Sequence, residues 1–171
     1  FGDDNPKLER VKDMLEEITE SGHKALIFSQ WEQVTSVYKE ALKAYNPAYI
    51  VGAVDPEDRQ KEVDRFQNDP TCKVAIGTIG AMGTGLTMTA ASYVFFVDKR
   101  YWDAENKQAE DRAHRIGTTN TVNVVSLVAT NTVDEGIEEM LRDNKALFDR
   151  VVEGKGSRVD MGEILRKILQ Y

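Results

Sequence analysis

Two arginines set three residues apart are the strongest chemical signal in the sequence. Arg112 and Arg115 lie in the stretch QAEDRAHRIG, at positions 108–117, of a chain whose formal net charge is −7. The planar guanidinium group stays charged at every working pH and matches the oxygens of a phosphate. When it is supplied from a second body, such an arginine can stabilise the charge that develops during phosphoryl transfer. The pair is therefore a candidate for binding a phosphate group.

Gln108 and Asp111 lie just before this arginine pair at helical spacing. The four side chains are separated by three or four residues and would share one face of a helix. Acidic neighbours allow a second interpretation, in which Glu110 and Asp111 only neutralise the arginines on a solvated surface. The place of the segment in the chain favours a ligand site, because the predicted helix follows a strand and ends at Gly117.

A glycine-rich loop, TIGAMGTGLTMTAA at 78–91, is the second chemical signal. Gly80, Gly83 and Gly85 lie between a predicted strand and a short helical segment, where glycine lets the backbone approach a phosphate or another chain closely. Their spacing does not match G-x-x-x-x-G-K-[ST], and that motif occurs nowhere in the chain. We therefore expect that the chain cannot cradle a triphosphate by itself.

Two other interpretations of this loop stay open. In dinucleotide sites, an acidic residue follows the glycines by about 20 residues, and Asp98 fits that distance. Against this, the glycine order is G-x-x-G-x-G, and the chain lacks the Tyr-x-x-x-Lys pair of the short-chain dehydrogenases whose glycine pattern is most similar. In the other interpretation, the glycines serve tight packing alone.

Composition limits the classes of function. A chain of 171 residues, 41% hydrophobic and 30% charged, predicts one soluble domain or one lobe of a larger protein. No apolar run approaches the roughly 20 residues of a membrane span, and the polar start without Met predicts a fragment with no signal peptide. Cys72 and two histidines are too few for a zinc site, and the single cysteine favours a reducing, intracellular setting. A pI near 5.0 argues against a broad nucleic-acid surface but allows a local basic stripe.

Strands and helices alternate along the chain. Short apolar runs predict strands at 24–28, 48–51, 73–77, 93–98 and 122–129. Helical periodicity and capping signals predict helices that begin at Pro6 and Pro56, one across 103–115, and one after the capping box of Thr132 and Glu135. A further predicted helix contains Trp31, Val34, Tyr38, Leu42 and Tyr45. Continuous apolar strands are typical of a sheet covered on both faces. We predict an α/β fold with an open, mostly parallel sheet, helices on both faces, and ligands beyond the carboxyl ends of the strands.

The sequence pattern divides the chain into two predicted segments. Residues 1–150 form the predicted lobe, and 151–171 form a linker followed by an amphipathic helix. Met161, Ile164, Leu165, Ile168 and Leu169 share one face of that helix. This face is expected either to pack on the lobe or to dock on a neighbouring domain.

Three quoted stretches together resemble helicase motifs IV, V and VI of the Snf2-family ATPases of helicase superfamily 2. They are KALIFSQW at 24–31, TIGAMGTGLTMTAA at 78–91 and QAEDRAHRIG at 108–117. The segment GAVDPEDRQKEVDRFQ, at 52–67, resembles the stretch between motifs IV and V. The form GTGLTMTAAS is most similar to the annealing-helicase-like and bacterial or phage branch. The resemblance covers about residues 5–150 and implies the second RecA-like lobe of a motor that moves along double-stranded DNA using ATP.

The resemblance also implies nucleotide-binding roles. Arg112 and Arg115 would be arginine fingers that reach the γ-phosphate, and Gln108 would orient or sense the nucleotide. Gly83 and Gly85 would lie near the ribose and couple the nucleotide state to DNA. ATP and Mg²⁺ are the implied cofactors, with the P-loop and the Mg²⁺ ligands on a first lobe that this chain does not contain.

The implied DNA contacts come from Ser29, Gln30 and Thr78, which would meet the phosphate backbone. The implied partners are double-stranded DNA and the N-terminal RecA-like lobe of the same protein. Such a protein would work in the nucleus of a eukaryote, or in the cytoplasm or nucleoid of a bacterium. The alternative function is a non-catalytic nucleic-acid or protein-binding module on a helicase-derived fold.

Overall fold

A parallel sheet of five strands, with helices on both faces, organises the residues that the structure describes. The computed structural model describes residues 5–82, 86–99, 107–110, 121–130 and 132–152. Its strands are β1 (Lys24–Ser29), β2 (Ala48–Ile50), β3 (Val74–Thr78), β4 (Ala91–Phe96) and β5 (Asn123–Ser126). Its helices are α1 (Pro6–Glu20), α2 (Glu32–Ala41), α3 (Pro56–Asn68), α4 (Ile79–Met82) and α5 (Val133–Val152), with a 3₁₀ turn at Lys43–Tyr45. Residues 107–110 are also helical.

The strand order within this described sheet is β2-β3-β1-β4-β5, and every neighbouring pair is parallel. This confirms the predicted α/β class. The central strand β1 shows why helices cover both faces. Leu26 and Phe28 point into one core cluster with α3 and α4, whereas Ala25 and Ile27 point into another with α1 and α2. Alternate residues of a strand face opposite sides, so each apolar pair needs its own layer of helices.

The first helix begins as its sequence predicts. The side chain of Asn5 accepts a hydrogen bond from the N–H of Leu8 at 3.1 Å, and Pro6 occupies the first turn. The apolar stripe of Leu8, Val11, Leu15 and Ile18 is buried against the sheet. None of the described helices is long and apolar enough to cross a lipid bilayer.

The second helix is shorter than its apolar periodicity predicts. It covers Glu32–Ala41, and Trp31 is its N-cap, with an extended backbone and a side chain that is 59% exposed. A 3₁₀ turn follows, and Asn46 ends it with a left-handed φ of 50°. Asparagine tolerates this region, and Pro47 then prevents the helix from continuing. The prediction that Trp31 and Tyr45 belong to one α-helix is therefore wrong.

The last described strand is also shorter than predicted. The apolar run covers 122–129, but β5 covers only Asn123–Ser126. Its register explains the difference, because among the described strands β5 pairs only with β4, and Ser126 lies opposite Phe96, where β4 ends. A strand cannot extend past the partner that bonds its backbone.

The final helix begins near the predicted capping box. The Thr132 hydroxyl oxygen accepts a hydrogen bond from the N–H of Asp134 at 3.2 Å, so Thr132 caps the helix. Helix α5 runs to Val152, two residues into the segment predicted to be a linker. Most of the predicted helix at 103–115, and the segment 153–171, lie outside the described residues.

Side chains of α3 form hydrogen bonds with the backbone at β2, which is an edge strand of the described sheet. Glu62 accepts a hydrogen bond from the N–H of Tyr49 at 2.9 Å, and Arg65 donates one to the carbonyl of Pro47 at 2.8 Å. The two side chains also bond each other at 2.8 Å. Burial works against the charge of Glu62, but the hydrogen bonds from Arg65 and Tyr49 hold its pKa below the ordinary value. The N–H of Tyr49 and the carbonyl of Pro47, which precedes the strand, are thus already paired.

Tyr38 of α2 and Tyr49 of β2 give a matched test of how a tyrosine hydroxyl group affects the free energy of unfolding. Tyr38 is fully buried, and its hydroxyl has no hydrogen-bond partner among the described residues, whereas the Tyr49 hydroxyl lies 3.0 Å from that of Thr35. We expect Tyr38→Phe to raise the free energy of unfolding by about 1 kcal/mol and Tyr49→Phe to lower it by a similar amount. Urea unfolding of both variants checks this. An equal loss of stability in both would contradict it.

Candidate functional site at the carboxyl edge of the sheet

The three predicted DNA-binding residues lie close together in the chain fold, where the neighbouring strands β1 and β3 end. Ser29 is the last residue of β1 and lies directly opposite Thr78, the last residue of β3. Gln30 follows Ser29 in the turn that leads to α2. Gln30 and Thr78 are half-buried, so each keeps surface that a ligand can reach, whereas Ser29 is buried. Parallel strands end at one edge of a sheet, which is where ligands bind in open α/β folds.

The turn at residues 29–31 is held by a carboxylate from the neighbouring strand. Ser29 donates its hydroxyl proton to Oδ2 of Asp98 at 2.5 Å, and the N–H of Gln30 donates to Oδ1 at 2.6 Å. The N–H of Trp31 in turn donates to the Ser29 hydroxyl oxygen at 3.0 Å. The Ser29 hydroxyl therefore already has two partners inside the protein, and its predicted contact with DNA stays a prediction.

The contact of Asp98 with the 29–31 turn was not predicted from the sequence. The dinucleotide interpretation considered it as a ribose ligand, but both of its carboxylate oxygens accept hydrogen bonds from the 29–31 turn. The two segments are 68 or 69 residues apart in the chain. The only available signal was a polar residue at the end of each strand, and the adjacency of β1 and β4 was needed to connect them.

Burial raises the pKa of Asp98, although the hydrogen bonds from Ser29 and Gln30 and the charge of Lys7 oppose that rise. Because the folded pKa lies above the unfolded one, the stability that this carboxyl adds is present at low pH and is lost as the pH rises through the folded pKa. Burial also raises the pKa of Tyr38, and the negative charge of Asp98 adds to this effect.

Two ion pairs tie helix α5 to the structure behind Asp98. Lys7 of α1 pairs with Asp134 at 2.5 Å and also donates a hydrogen bond to the carbonyl of Val97. Lys99 pairs with Glu138 at 3.1 Å. These contacts connect α1, the end of β4 and the first turns of α5. The residues on either side of Asp98 in the chain, Val97 and Lys99, are thus tied to α1 and α5.

The glycine-rich loop begins in a tightly packed corner. A Cβ atom at Gly77 of β3 would lie 2.1 Å from the carbonyl oxygen of Ile50 and 2.5 Å from Sδ of Met82. Only glycine lets α4 pack this closely against β3, and α4 then leads directly into residues 83–85. Gly83 and Gly85 lie outside the described residues, so their roles stay predictions.

The described part of the arginine-bearing segment is the helical turn at 107–110. Ala109 is fully buried in the core cluster shared with α3 and α4, whereas Gln108 is exposed. The turn is therefore anchored by Ala109 and leaves Gln108 accessible to a ligand. Arg112 and Arg115 lie outside the described residues, and their roles stay predictions from the sequence.

A magnesium site is not offered by the described residues. No group of three or more His, Cys, Asp or Glu side chains in this part of the chain could hold a metal ion. Asp98 is turned toward the 29–31 turn, and Asp134 and Glu138 are paired with lysines. The described site therefore offers two half-buried neutral side chains, Gln30 and Thr78, beside a turn held by the carboxylate of Asp98.

Comparisons with known proteins agree with this arrangement. A family model described as the helicase conserved C-terminal domain matches residues 6–117. Protein CHROMATIN REMODELING 19 of Arabidopsis thaliana is 35% identical over 174 residues, covering 95% of this chain and 23% of that protein. Helicase SWR1 of Candida glabrata is 32% identical over 149 residues, covering 86% of this chain and 10% of that protein.

A solved structure gives the same result for the fold. The crystal structure of the C-terminal part of the Fun30 ATPase domain superposes with a TM-score of 0.76 at 28% sequence identity, covering 82% of this chain and 48% of that chain. The sheet described above is thus a RecA-like one. The chain spans less than a quarter of the length of the Arabidopsis and Candida relatives. It belongs to the helicase conserved C-terminal domain family and is the C-terminal helicase lobe of a Snf2-family protein.

Proposed function

We propose that this chain is the second lobe of a DNA-dependent ATPase that moves along double-stranded DNA. The observation that carries the proposal is the pairing of Ser29 with Thr78, which brings the segments resembling motifs IV and V to one sheet edge. Gln30 adds a half-buried amide beside them. The named relatives are eukaryotic, and one is named for chromatin remodelling, which favours a nuclear site of action.

Gln30 and Thr78 would bind the DNA backbone through neutral donors. An amide and a hydroxyl can donate to phosphate oxygens, and such contacts fix the position of a protein on DNA without reading its sequence. Binding is therefore expected to be independent of sequence and to weaken as salt rises, since lysines and arginines of the whole protein displace counterions.

The arginine pair would complete a nucleotide site held by another lobe. Arg112 and Arg115 would bind the γ-phosphate and stabilise the charge that develops as it is transferred. Gln108, exposed beside the buried Ala109, would orient the nucleotide. ATP and Mg²⁺ would be bound mainly by the first lobe, in accord with the lack of a P-loop in this sequence. Loss of the γ-phosphate removes the bridge between the lobes and lets them part.

The proposal predicts that the 171-residue chain alone does not hydrolyse ATP, because it lacks the groups that hold the triphosphate. The two-lobed protein should hydrolyse ATP, and double-stranded DNA should stimulate it. Phosphate release assays on both proteins, with and without DNA of two unrelated sequences, check this. Robust turnover by the 171-residue chain would sink the split-site proposal.

A two-lobed protein that binds DNA but shows no hydrolysis under the same conditions would instead support the non-catalytic binding module. Retention of Gln108 and both arginines favours the active form, since a binding module has no need of them. The same assay therefore separates the two functions.

A further inference from the structure

We propose that Asp98 is a positioning residue that holds the turn at residues 29–31 so that Gln30 meets the DNA backbone. This inference rests on the proposed function for its DNA contact. Its structural half depends only on the hydrogen bonds that join β4 to the turn.

Hydrogen bonds connect the Asp98 carboxylate, directly or through Ser29, to three consecutive residues of the turn. Asp98 accepts directly from the Ser29 hydroxyl and the Gln30 N–H, and Ser29 passes the constraint on to the N–H of Trp31. Hydrogen bonds to an ionised carboxylate are among the strongest in proteins. The backbone of the turn is therefore fixed from Ser29 to the N-cap of α2.

The cost of burying this carboxylate points to a role beyond general stability. Asp98 lies at the sheet edge that carries the candidate site, and burial raises its pKa. A carboxylate removed from water stabilises a fold poorly unless all its neighbours are well arranged. Here the groups it organises are the turn that presents Gln30 and the largely exposed Trp31.

The same strand pair provides a matched control at its other end. The Ser92 hydroxyl, at the start of β4, lies 3.1 Å from Nδ1 of His23, the residue before β1. Ser92 is buried like Ser29. Ser92→Ala therefore removes one connection between the same neighbouring strands, but at the edge away from the 29–31 turn.

The first measurement needs no DNA. In the 171-residue chain with Trp102→Phe in every variant, Trp31 is the single tryptophan, and its fluorescence anisotropy decay reports local motion of the turn. We expect Asp98→Ala to increase the fast component of the decay, Asp98→Asn to restore most of the order through its remaining carbonyl oxygen, and Ser92→Ala to leave the decay unchanged. An unchanged decay in a folded Asp98→Ala variant overturns the inference.

The second measurement uses the two-lobed protein. Asp98→Ala should raise the DNA concentration for half-maximal ATPase about 10-fold, the equivalent of one lost charge-assisted hydrogen bond. The kcat at saturating DNA should stay within about twofold, because uniform binding is lost and not chemistry. Combining it with Gln30→Ala should give no further increase over Gln30→Ala alone, since Asp98 acts through Gln30.

The outcomes separate this inference from the proposed function. An equal DNA shift in Ser92→Ala and Asp98→Ala overturns it in favour of a purely structural role, as does an additive double variant. If Gln30→Ala leaves the DNA dependence unchanged, the DNA half of the inference fails while the ATPase proposal stands. If the wild-type two-lobed protein has no DNA-stimulated ATPase, the proposed function fails, and Trp31 still decides whether Asp98 holds the turn.

Discussion

In the two-lobed protein, Arg115→Ala is expected to lower DNA-stimulated ATP hydrolysis by about 10³-fold or more, as for other arginine fingers. The guanidinium group would stabilise charge that appears only in the transition state, so its loss should reduce kcat with little effect on DNA binding. Steady-state ATPase assays at saturating DNA, with DNA affinity measured separately, check both parts.

The control for this prediction is Arg142→Ala, which removes an exposed arginine of α5 and should leave the rate unchanged. Arg115→Lys keeps the charge but loses the planar fork, so most of the defect should remain. The same assay on Arg112→Ala shows whether both arginines reach the phosphate or one orients the other. A normal rate in Arg115→Ala would remove that residue from the active site.

Gly77→Ala is expected to destabilise the lobe by about 3 kcal/mol or more, since overpacking a filled corner forces neighbours to move. The added Cβ would meet the Ile50 carbonyl oxygen at 2.1 Å and Met82 Sδ at 2.5 Å. The sulfur can move, but the carbonyl belongs to the β2 backbone. For a domain of this size, the melting temperature should fall by roughly 6 to 12 °C, measured by differential scanning calorimetry.

Gly136→Ala provides the matched control. Gly136 lies in α5, and a Cβ atom there would have no neighbour within 4 Å. The same change in composition should therefore stabilise the protein by about 0.5 to 1 kcal/mol, because alanine favours the helix. If both variants melt at the wild-type temperature, the packing of Gly77 against β2 and α4 is not as described.

The parts of the fold that were predicted correctly have local causes. Asn5 and Pro6 define the start of α1 by capping and by backbone restriction, and both act within one turn. The apolar run around Leu26 and Phe28 predicts a buried strand whatever its neighbours are. Trp31 shows the limit of such patterns, since it fits the apolar periodicity but lies at the N-cap with a largely exposed side chain.

The parts that were missed depend on the order of strands. The pairing of Ser29 with Asp98 requires β4 beside β1, and nothing within either segment indicates this adjacency. The end of β5 at Ser126 is likewise imposed by the end of β4. Family motifs predicted Ser29, Gln30 and Thr78 as a group, and the register of β1 with β3 explains why two of them lie opposite each other.

The Glu62–Arg65 pair at β2 has a consequence for how copies of this lobe meet. A flat strand edge with unpaired backbone groups invites exchange or stacking of strands between molecules. At β2 the N–H of Tyr49 and the neighbouring carbonyl of Pro47 are already bonded to side chains of α3, so an incoming strand would first have to displace both side chains. Growth of the sheet by strand addition is therefore disfavoured at this end of the described sheet, and copies of the lobe are not expected to join through their β2 edges.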